Sequence, residues 1–442
     1  MSQTNLAKRI GEPLRNSVTF KLVVVCVLIL LLLVPAGMIQ SLINERQFRK
    51  SEAVADISAK WGATQTVSGP VLSVPFRRYY VENKERRFNI EFAHFLPQTL
   101  KVDGELLPEI RYRGIYKAVL YRAKLNIAGE FARPDFNALS IGDADVIWDR
   151  ALITLGVSDM KGIRETVAAR IDDAPLTMNP GIETQDVLGS GVSARVPAAR
   201  KGAGFKFAFT LDINGSDAVQ FVPVGESTSV HIASQWPSPS FDGAFLPVAR
   251  EVGESGFNAD WKVLHLNRNF PQAWIGKQKI EESAFGVRLF IAADVYQQAT
   301  RTAKYALLFI LLTFTTFFFT EIVNRKRLHP IQYLLIGFAL MIFYTLLIAL
   351  SEHISFGISY LGAAFAVVAL ITSYAHWSLA NSRLTLLVGG VLVLLYGYLY
   401  IILQLEDYAL LMGSIGLFAT LAIVMYATRR IDWYGVSLGT EK

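Results

Sequence analysis

The sequence predicts an integral membrane α-helical protein, with six transmembrane helices and a large mainly-β, sandwich-like periplasmic domain between helix 1 and helix 2. Three observations predict it. The 442 residues are 52% hydrophobic and only 18% charged, too apolar and too charge-poor for an ordinary soluble chain. One charge-free run lies near the N-terminus and several more follow Ala303, each close to the roughly 20 residues needed to cross ~30 Å of hydrocarbon. Between them the hydrophobic period changes to two, the signature of half-buried strands.

Residues 1–21 read as a cytoplasmic N-terminal segment, because Lys8, Arg9, Arg15 and Lys21 precede the first apolar run. Leu22 to Ile39 carries no charge. It is longer than the ~7–15 residues of a leader's apolar core, so the expectation is a retained signal anchor, helix 1 at 22–41. From Glu45 to about Lys60 a helical pattern of charge and apolar residues predicts that this helix continues out of the membrane.

The inserted domain is set at 42–303. Val67, Val71, Leu72, Val74 and Phe76, interrupted by Gly69, Pro70 and Pro75, read as short strand pieces broken by turns. Val119 to Ile127 and Phe205 to Leu211 alternate cleanly, as antiparallel strands with one face packed and one wet do. Asp103-Gly104 and Asn214-Gly215 are the expected hairpin turns. The Gly-, Ser-, Ala- and Pro-rich stretch from Asn179 to Gly204 is expected to be a long loop or irregular edge.

A five-helix block follows at 304–428, with spans at about 305–323, 331–350, 354–374, 384–404 and 408–427, and then a tail at 429–442. Arg325 to Arg327, Arg383, and Arg429 with Arg430 fall on one side; the loops with Glu352 and with Glu406 and Asp407 fall on the other. Positive charge is retained inside, so both termini are assigned to the cytoplasm and the inserted domain to the outer side, the periplasm of a bacterium with two membranes. This topology accounts for the net charge of +6 better than nucleic-acid binding does, since the basic residues sit at span ends rather than in one aromatic-studded patch.

Chemistry is sparse. The single cysteine, Cys26, lies in helix 1, so neither an intrachain disulfide nor a cysteine metal site is possible. Six scattered histidines form no HExxH, and Gly189 and Gly191 lack the completion of a phosphate loop. No catalytic, cofactor or metal residue is assigned. Glu321 is read as pairing with Arg325 at i+4 rather than as a proton site. Gly362 with Ala366, and Gly389 with Gly390, could bring helices close, and Tyr396, Tyr398 and Tyr400 read as an interfacial belt.

The segments Trp61 to Phe76 (WGATQTVSGPVLSVPF), Ser240 to Arg250 (SFDGAFLPVAR), Gly256 to Trp261 (GFNADW) and Leu266 to Trp274 (LNRNFPQAW), followed by the five-helix block, resemble the CreD family. The resemblance implies a bacterial inner-membrane protein linked to cell-envelope integrity, whose expression in some bacteria answers a two-component system connected with β-lactam stress. It carries over no reaction. Trp61, Gly69, Pro70, Phe241, Asp242, Gly243, Phe257, Trp261 and Arg268 are the candidate functional or packing surface, the glycines and prolines as turn formers and the aromatics as core filling or a binding groove. The expected function is envelope integrity or stress response through a periplasmic domain that binds a protein partner, a glycan or a lipid. Two alternatives are a carrier of lipid or another apolar solute, and an envelope hydrolase using Asp242, Asp260 or Glu254.

Overall fold

The computed structural model describes residues 18–197, 200, 202–291, 295–324, 328–405 and 408–429. Lys8, Arg9, Arg15, Arg325, Lys326, Arg327, Glu406, Asp407 and Arg430, and with them most of the charges that set the expected orientation, lie outside the described residues. The chain divides into two compact units, Ser51–Ala292 and Met1–Lys50 with Ala293–Lys442.

In the helical unit, α1 (Val18–Trp61) is a single helix of 44 residues, about 66 Å long and thus far longer than a hydrocarbon core requires. It carries the charged continuation expected after Glu45. α2 (Val295–Lys304) and α3 (Ala306–Asn324) meet at a bend of 43°. α4 (Pro330–Ser351), α5 (Phe356–Leu379), α6 (Ser382–Gln404) and α7 (Ala409–Thr428) follow. α5 outruns its expected end because it stops only at Ala380, in left-handed conformation, where the Asn381 carboxamide oxygen accepts from the Arg383 and Leu384 amides to start α6. Among the described residues, four helices are long and apolar enough to span a bilayer, five if the bent α2–α3 pair is one span; the apolar part of α7, Leu411–Tyr426, is shorter.

The helices pack through aromatics and close glycine contacts. Phe343 lies 5.4 Å from Tyr360 and 4.7 Å from Tyr396, and the Tyr360 hydroxyl donates to the Tyr396 carbonyl at 2.7 Å. Tyr396 is therefore buried in the bundle, not part of an interfacial belt. The tightest glycine is one the sequence reading missed. A Cβ on Gly337 would collide with Leu32 on α1; of the expected glycines, Gly389 is closely approached, a Cβ there meeting Thr372 of α5 at 3.0 Å, whereas Gly362 and Gly390 have room to spare.

The other unit is a β-sandwich. Its strands begin with β1 (Gln65–Glu82), β2 (Glu85–Phe95), β3 (Thr99–Arg113), β4 (Tyr116–Phe131), β5 (Leu152–Val157) and β6 (Ala168–Ile171). Next come β7 (Ala174–Thr177), β8 (Asn179–Pro180), β9 (Gly191–Arg195), β10 (Phe205–Ser216), β11 (Ala218–Phe221) and β12 (Ser227–Ser234). Last are β13 (Pro239–Gly243), β14 (Ala249–Gly253), β15 (Gly256–Leu264), β16 (Ala273–Ile275) and β17 (Phe285–Leu289). Nine strands form one sheet in the order β13-β17-β11-β1-β5-β9-β8, with β2 on β1 and β16 on β2; eight form the other, β14-β15-β12-β3-β4-β10-β6-β7. Pairing is antiparallel except β1 with β11 and β3 with β12. The inner faces share one core, in which Leu72, Leu155 and Val219 of the first sheet and Leu106, Leu125 and Ile232 of the second are fully buried.

Several local expectations are corrected. Gln65 to Glu82 is one long strand, and Gly69 and Pro70 sit at a register shift within it rather than at a turn. Asp103-Gly104 and Asn214-Gly215 lie inside β3 and β10. Gly104 and Gly215 are small because neighbours fill the space a side chain would need: a Cβ would meet Leu125 at 2.7 Å in the first and collide with the Tyr121 hydroxyl in the second. The hairpin turns instead use Asn83-Lys84, with φ of 51° and 68°, and Gly114, with φ of 60°. The stretch from Asn179 to Gly204 contributes β8 and β9 to a sheet edge.

Candidate functional site

The WGATQ segment seats the end of α1 on the sandwich. Trp61 lies under the Arg111 guanidinium, 3.9 Å from its ring, and donates to the Tyr121 carbonyl at 3.4 Å. Gln65 is fully buried, and its amide donates to the carbonyls of Asp159 and Asn214 at 3.0 and 2.9 Å. Burial raises the pKa of Tyr121 far above its ordinary value, which keeps its hydroxyl a donor, to the Ala218 carbonyl at 2.7 Å. These groups are spent on structure.

Phe241, Phe257 and Trp261 do come together. Phe241 stands edge-on to Phe257 at 5.8 Å and to Trp261 at 5.7 Å, and Trp261 meets Phe285 at 5.7 Å. Because β13 and β17 belong to one sheet and β15 to the other, the cluster closes one end of the sandwich. The Trp261 indole donates to the Phe245 carbonyl at 3.2 Å. Asp242 faces Arg288 at 3.3 Å, and Gly243 is needed for its φ of 99° beside the Ala284 carbonyl. Arg268 stands apart: its guanidinium donates to the carbonyls of Phe270 and Val224 and to Gln272, and burial lowers its pKa to about 10. Of the hydrolase candidates, Asp242 is held by Arg288, Asp260 by His231 at 2.8 Å, and Glu254 occupies the exposed β14–β15 turn.

Next to Phe257, an open cleft of about 430 Å³ runs along β12, β14 and β15, lined by polar groups including Glu105, Ser234, Gln235, Glu251, Ser255 and Asn258. It adjoins the aromatic cluster through Phe257, and its carboxylates were not legible in the sequence because they are brought together by sheet pairing, not by spacing.

A second missed constellation lies in the core. Ser73 and His94 are cross-strand partners on β1 and β2, with Oγ and Nδ1 2.9 Å apart, and Nε2 lies 3.5 Å from Asp186. All three types of a hydrolytic triad are present, but Ser73 and His94 are buried and the imidazole is covered by Phe92 and Trp274. Desolvation lowers the pKa of His94, opposed by Asp186. The unfolded chain therefore binds the proton first as pH falls through about 6.5, and stability declines from there down to the lower folded value. Wild type is expected to lose thermal stability between pH 7.5 and 5.5 by a margin that shrinks in His94→Gln, read by melting the full chain in detergent at both pH values; an unchanged margin would contradict the assignment.

In the helical unit, Glu321, whose expected partner Arg325 lies outside the described residues, is fully buried. It pairs with Lys21 of α1, accepts from the Leu328 amide at 3.0 Å and from the Tyr333 hydroxyl at 3.0 Å. The Lys21 ammonium also donates to the Leu328 carbonyl at 3.0 Å. Glu352 receives the Tyr296 hydroxyl at 3.0 Å and lies 3.8 Å from Arg46. Both carboxylates are tied to their neighbours in a way that fastens helices.

Fold and site together define a membrane-anchored protein that carries a mainly-β domain inserted into a helical chain. The chain belongs to the CreD family. The family described as "Inner membrane protein CreD" matches residues 17–434. The chain is 34% identical over 423 residues to inner membrane protein CreD of Escherichia coli strain K12, covering 94% of this chain and 93% of that protein.

Proposed function

We propose that the protein is a non-enzymatic envelope receptor of the inner membrane, which supports envelope integrity by binding a periplasmic protein or glycan through the cleft of β12, β14 and β15. The observation that carries this reading is the cleft itself: a concave, polar, carboxylate-bearing surface on a sandwich whose core is otherwise filled. In this reading α2–α3 and α7 each count as one span, so that the chain crosses six times with both termini cytoplasmic and the domain periplasmic. Lys21 at the start of α1, and Arg383 in the first turn of α6, fall on the inner side in this arrangement.

Ser255 is exposed at the cleft and remote from the core, and Cys26 is the sole native cysteine. In a Cys26→Ala background, Ser255→Cys is expected to react with a membrane-impermeant maleimide in intact spheroplasts. A crosslinker attached there should capture an envelope component. No labelling from outside would overturn the orientation, and labelling without capture would overturn the binding role.

A lipid-handling role has one specific observation in its favour, an open apolar groove of about 660 Å³ lined by Pro35, Met38, Leu42, Phe338 and Ile342. The groove is shallow and faces outward along α1 and α4, as an annular lipid site would.

A further inference from the structure

The β1–β2 pairing does not end where the sandwich ends. β1 pairs with β11 and β5 only as far as Ser73, β2 pairs with β16 only at Phe95 to Ala93, and an isolated bridge joins Phe76 to Val146. From Arg77 to Ile90 the two strands pair only with one another, closing at Asn83-Lys84. The result is a two-stranded ribbon of about 23 Å. Such a ribbon gains little stability by itself.

Its two faces are sorted by chemistry. Cross-strand register places Arg78, Tyr80, Glu82, Glu85, Arg87, Asn89 and Glu91 on one face, where Arg78 pairs with Glu91 and Arg87 with Glu82, each at 2.9 Å. Every acid of the ribbon stands there, each within reach of an arginine, Glu85 lying 3.6 Å from Arg87. The opposite face holds Arg77, Tyr79, Val81, Arg86, Phe88 and Ile90, with no carboxylate. Its four apolar side chains are exposed, from 39% for Tyr79 to 76% for Val81. Its arginines lie on aromatic rings: Arg86 sits 4.0 Å over Tyr79 and Arg77 5.7 Å over Phe88, while Tyr79 and Phe88 meet edge-on at 5.9 Å.

We infer that this acid-free face docks on the anionic lipid headgroups of the bilayer in which the chain itself is inserted. Tyrosine, phenylalanine and aliphatic side chains beside arginine are the composition of the bilayer interface, where rings sit at headgroup depth and cations meet lipid phosphate. A flat ribbon has no walls for a small ligand. Its free strand edges keep it at the headgroup level, because unpaired backbone amides and carbonyls cannot enter hydrocarbon. Anchoring by the helices also holds the ribbon at high effective concentration near one lipid surface. The inference is independent of the cleft proposed above.

The test uses the full chain in nanodiscs, with Cys26→Ala and an environment-sensitive fluorophore on Val81→Cys. With phosphatidylglycerol discs containing spin-labelled headgroups, the dye is expected to be quenched and blue-shifted. Quenching should weaken as salt is raised, since the screening length falls from ~10 Å at 0.1 M to ~3 Å at 1 M. Arg77→Glu with Arg86→Glu should cut the docked fraction roughly tenfold or more, whereas Arg77→Lys with Arg86→Lys, and Arg78→Glu on the other face, should leave it near wild type. A melt of each variant confirms that the fold is retained. Equal quenching in phosphatidylcholine discs would overturn the anionic specificity. Quenching only when separate anionic vesicles are added would assign the face to a different membrane, quenching by a second copy at high protein density would assign it to self-association, and no response in any arm would overturn lipid docking.

Discussion

Glu321→Ala is expected to lower the unfolding free energy by about 3–5 kcal/mol, the range for breaking one side of a buried ion pair. The substitution leaves the Lys21 ammonium, the Leu328 amide and the Tyr333 hydroxyl without the carboxylate that now receives them. Lys21→Met combined with Glu321→Leu is expected to recover part of that loss, because an apolar pair removes the uncompensated charge although it cannot receive the Leu328 amide. Thermal unfolding of the detergent-solubilised chain reads both. A wild-type midpoint for Glu321→Ala would show that the carboxylate does not tie α1 to the α3–α4 turn.

Trp261→Ala carries the largest expected effect in the sandwich, about 3–5 kcal/mol, as for other buried aromatic-to-alanine changes. The side chain is 2% exposed and touches Phe241 and Phe285, so its removal opens a cavity between the two sheets at their common end. Trp261→Phe should cost much less, close to the ~1 kcal/mol of the lost hydrogen bond to the Phe245 carbonyl together with a small packing defect. Denaturant unfolding of the full chain, followed by a protease-protection assay of the β unit, separates the two variants. Equal stability of Trp261→Ala and Trp261→Phe would mean that the cluster is not part of the folded core. Phe241, which is only half-buried and lies 5.9 Å from Arg250, should tolerate alanine better than Trp261 does.

The membrane runs and the strand periods were legible because each element repeats its burial pattern along its own length. Phe205 to Leu211 alternates inward and outward in the sequence as it does in β10, and the charge pattern after Glu45 marked a helix that does continue to Trp61. Turn chemistry was less legible. An Asp-Gly or Asn-Gly pair announces a hairpin only where the chain is free to reverse, and here Gly104 and Gly215 answer a different demand, the absence of a side chain against Leu125 and Tyr121. For the same reason the tyrosines of α6 could not be sorted by depth alone, since Tyr396 points into the bundle.

The candidate surface was half legible. Phe241, Phe257 and Trp261 stand out as aromatics in Gly- and Asp-marked segments and meet in space, while Trp61 and Arg268 serve separate junctions. Glu105, Glu251 and Asn258 of the cleft, and the pair Ser73 and His94, carry no local signature.

By itself, the sequence determined that this is a membrane protein with a mainly-β insertion, because hydrophobic run length and strand period are properties of consecutive residues. Only the tertiary structure decided which groups meet: Lys21 with Glu321 across the bundle, the acid-free face of the Arg77 to Ile90 ribbon with no sheet to cover it, and the two sheets that share one core. Those outcomes depend on cross-strand register and helix packing between residues tens to hundreds of positions apart, which no local pattern encodes.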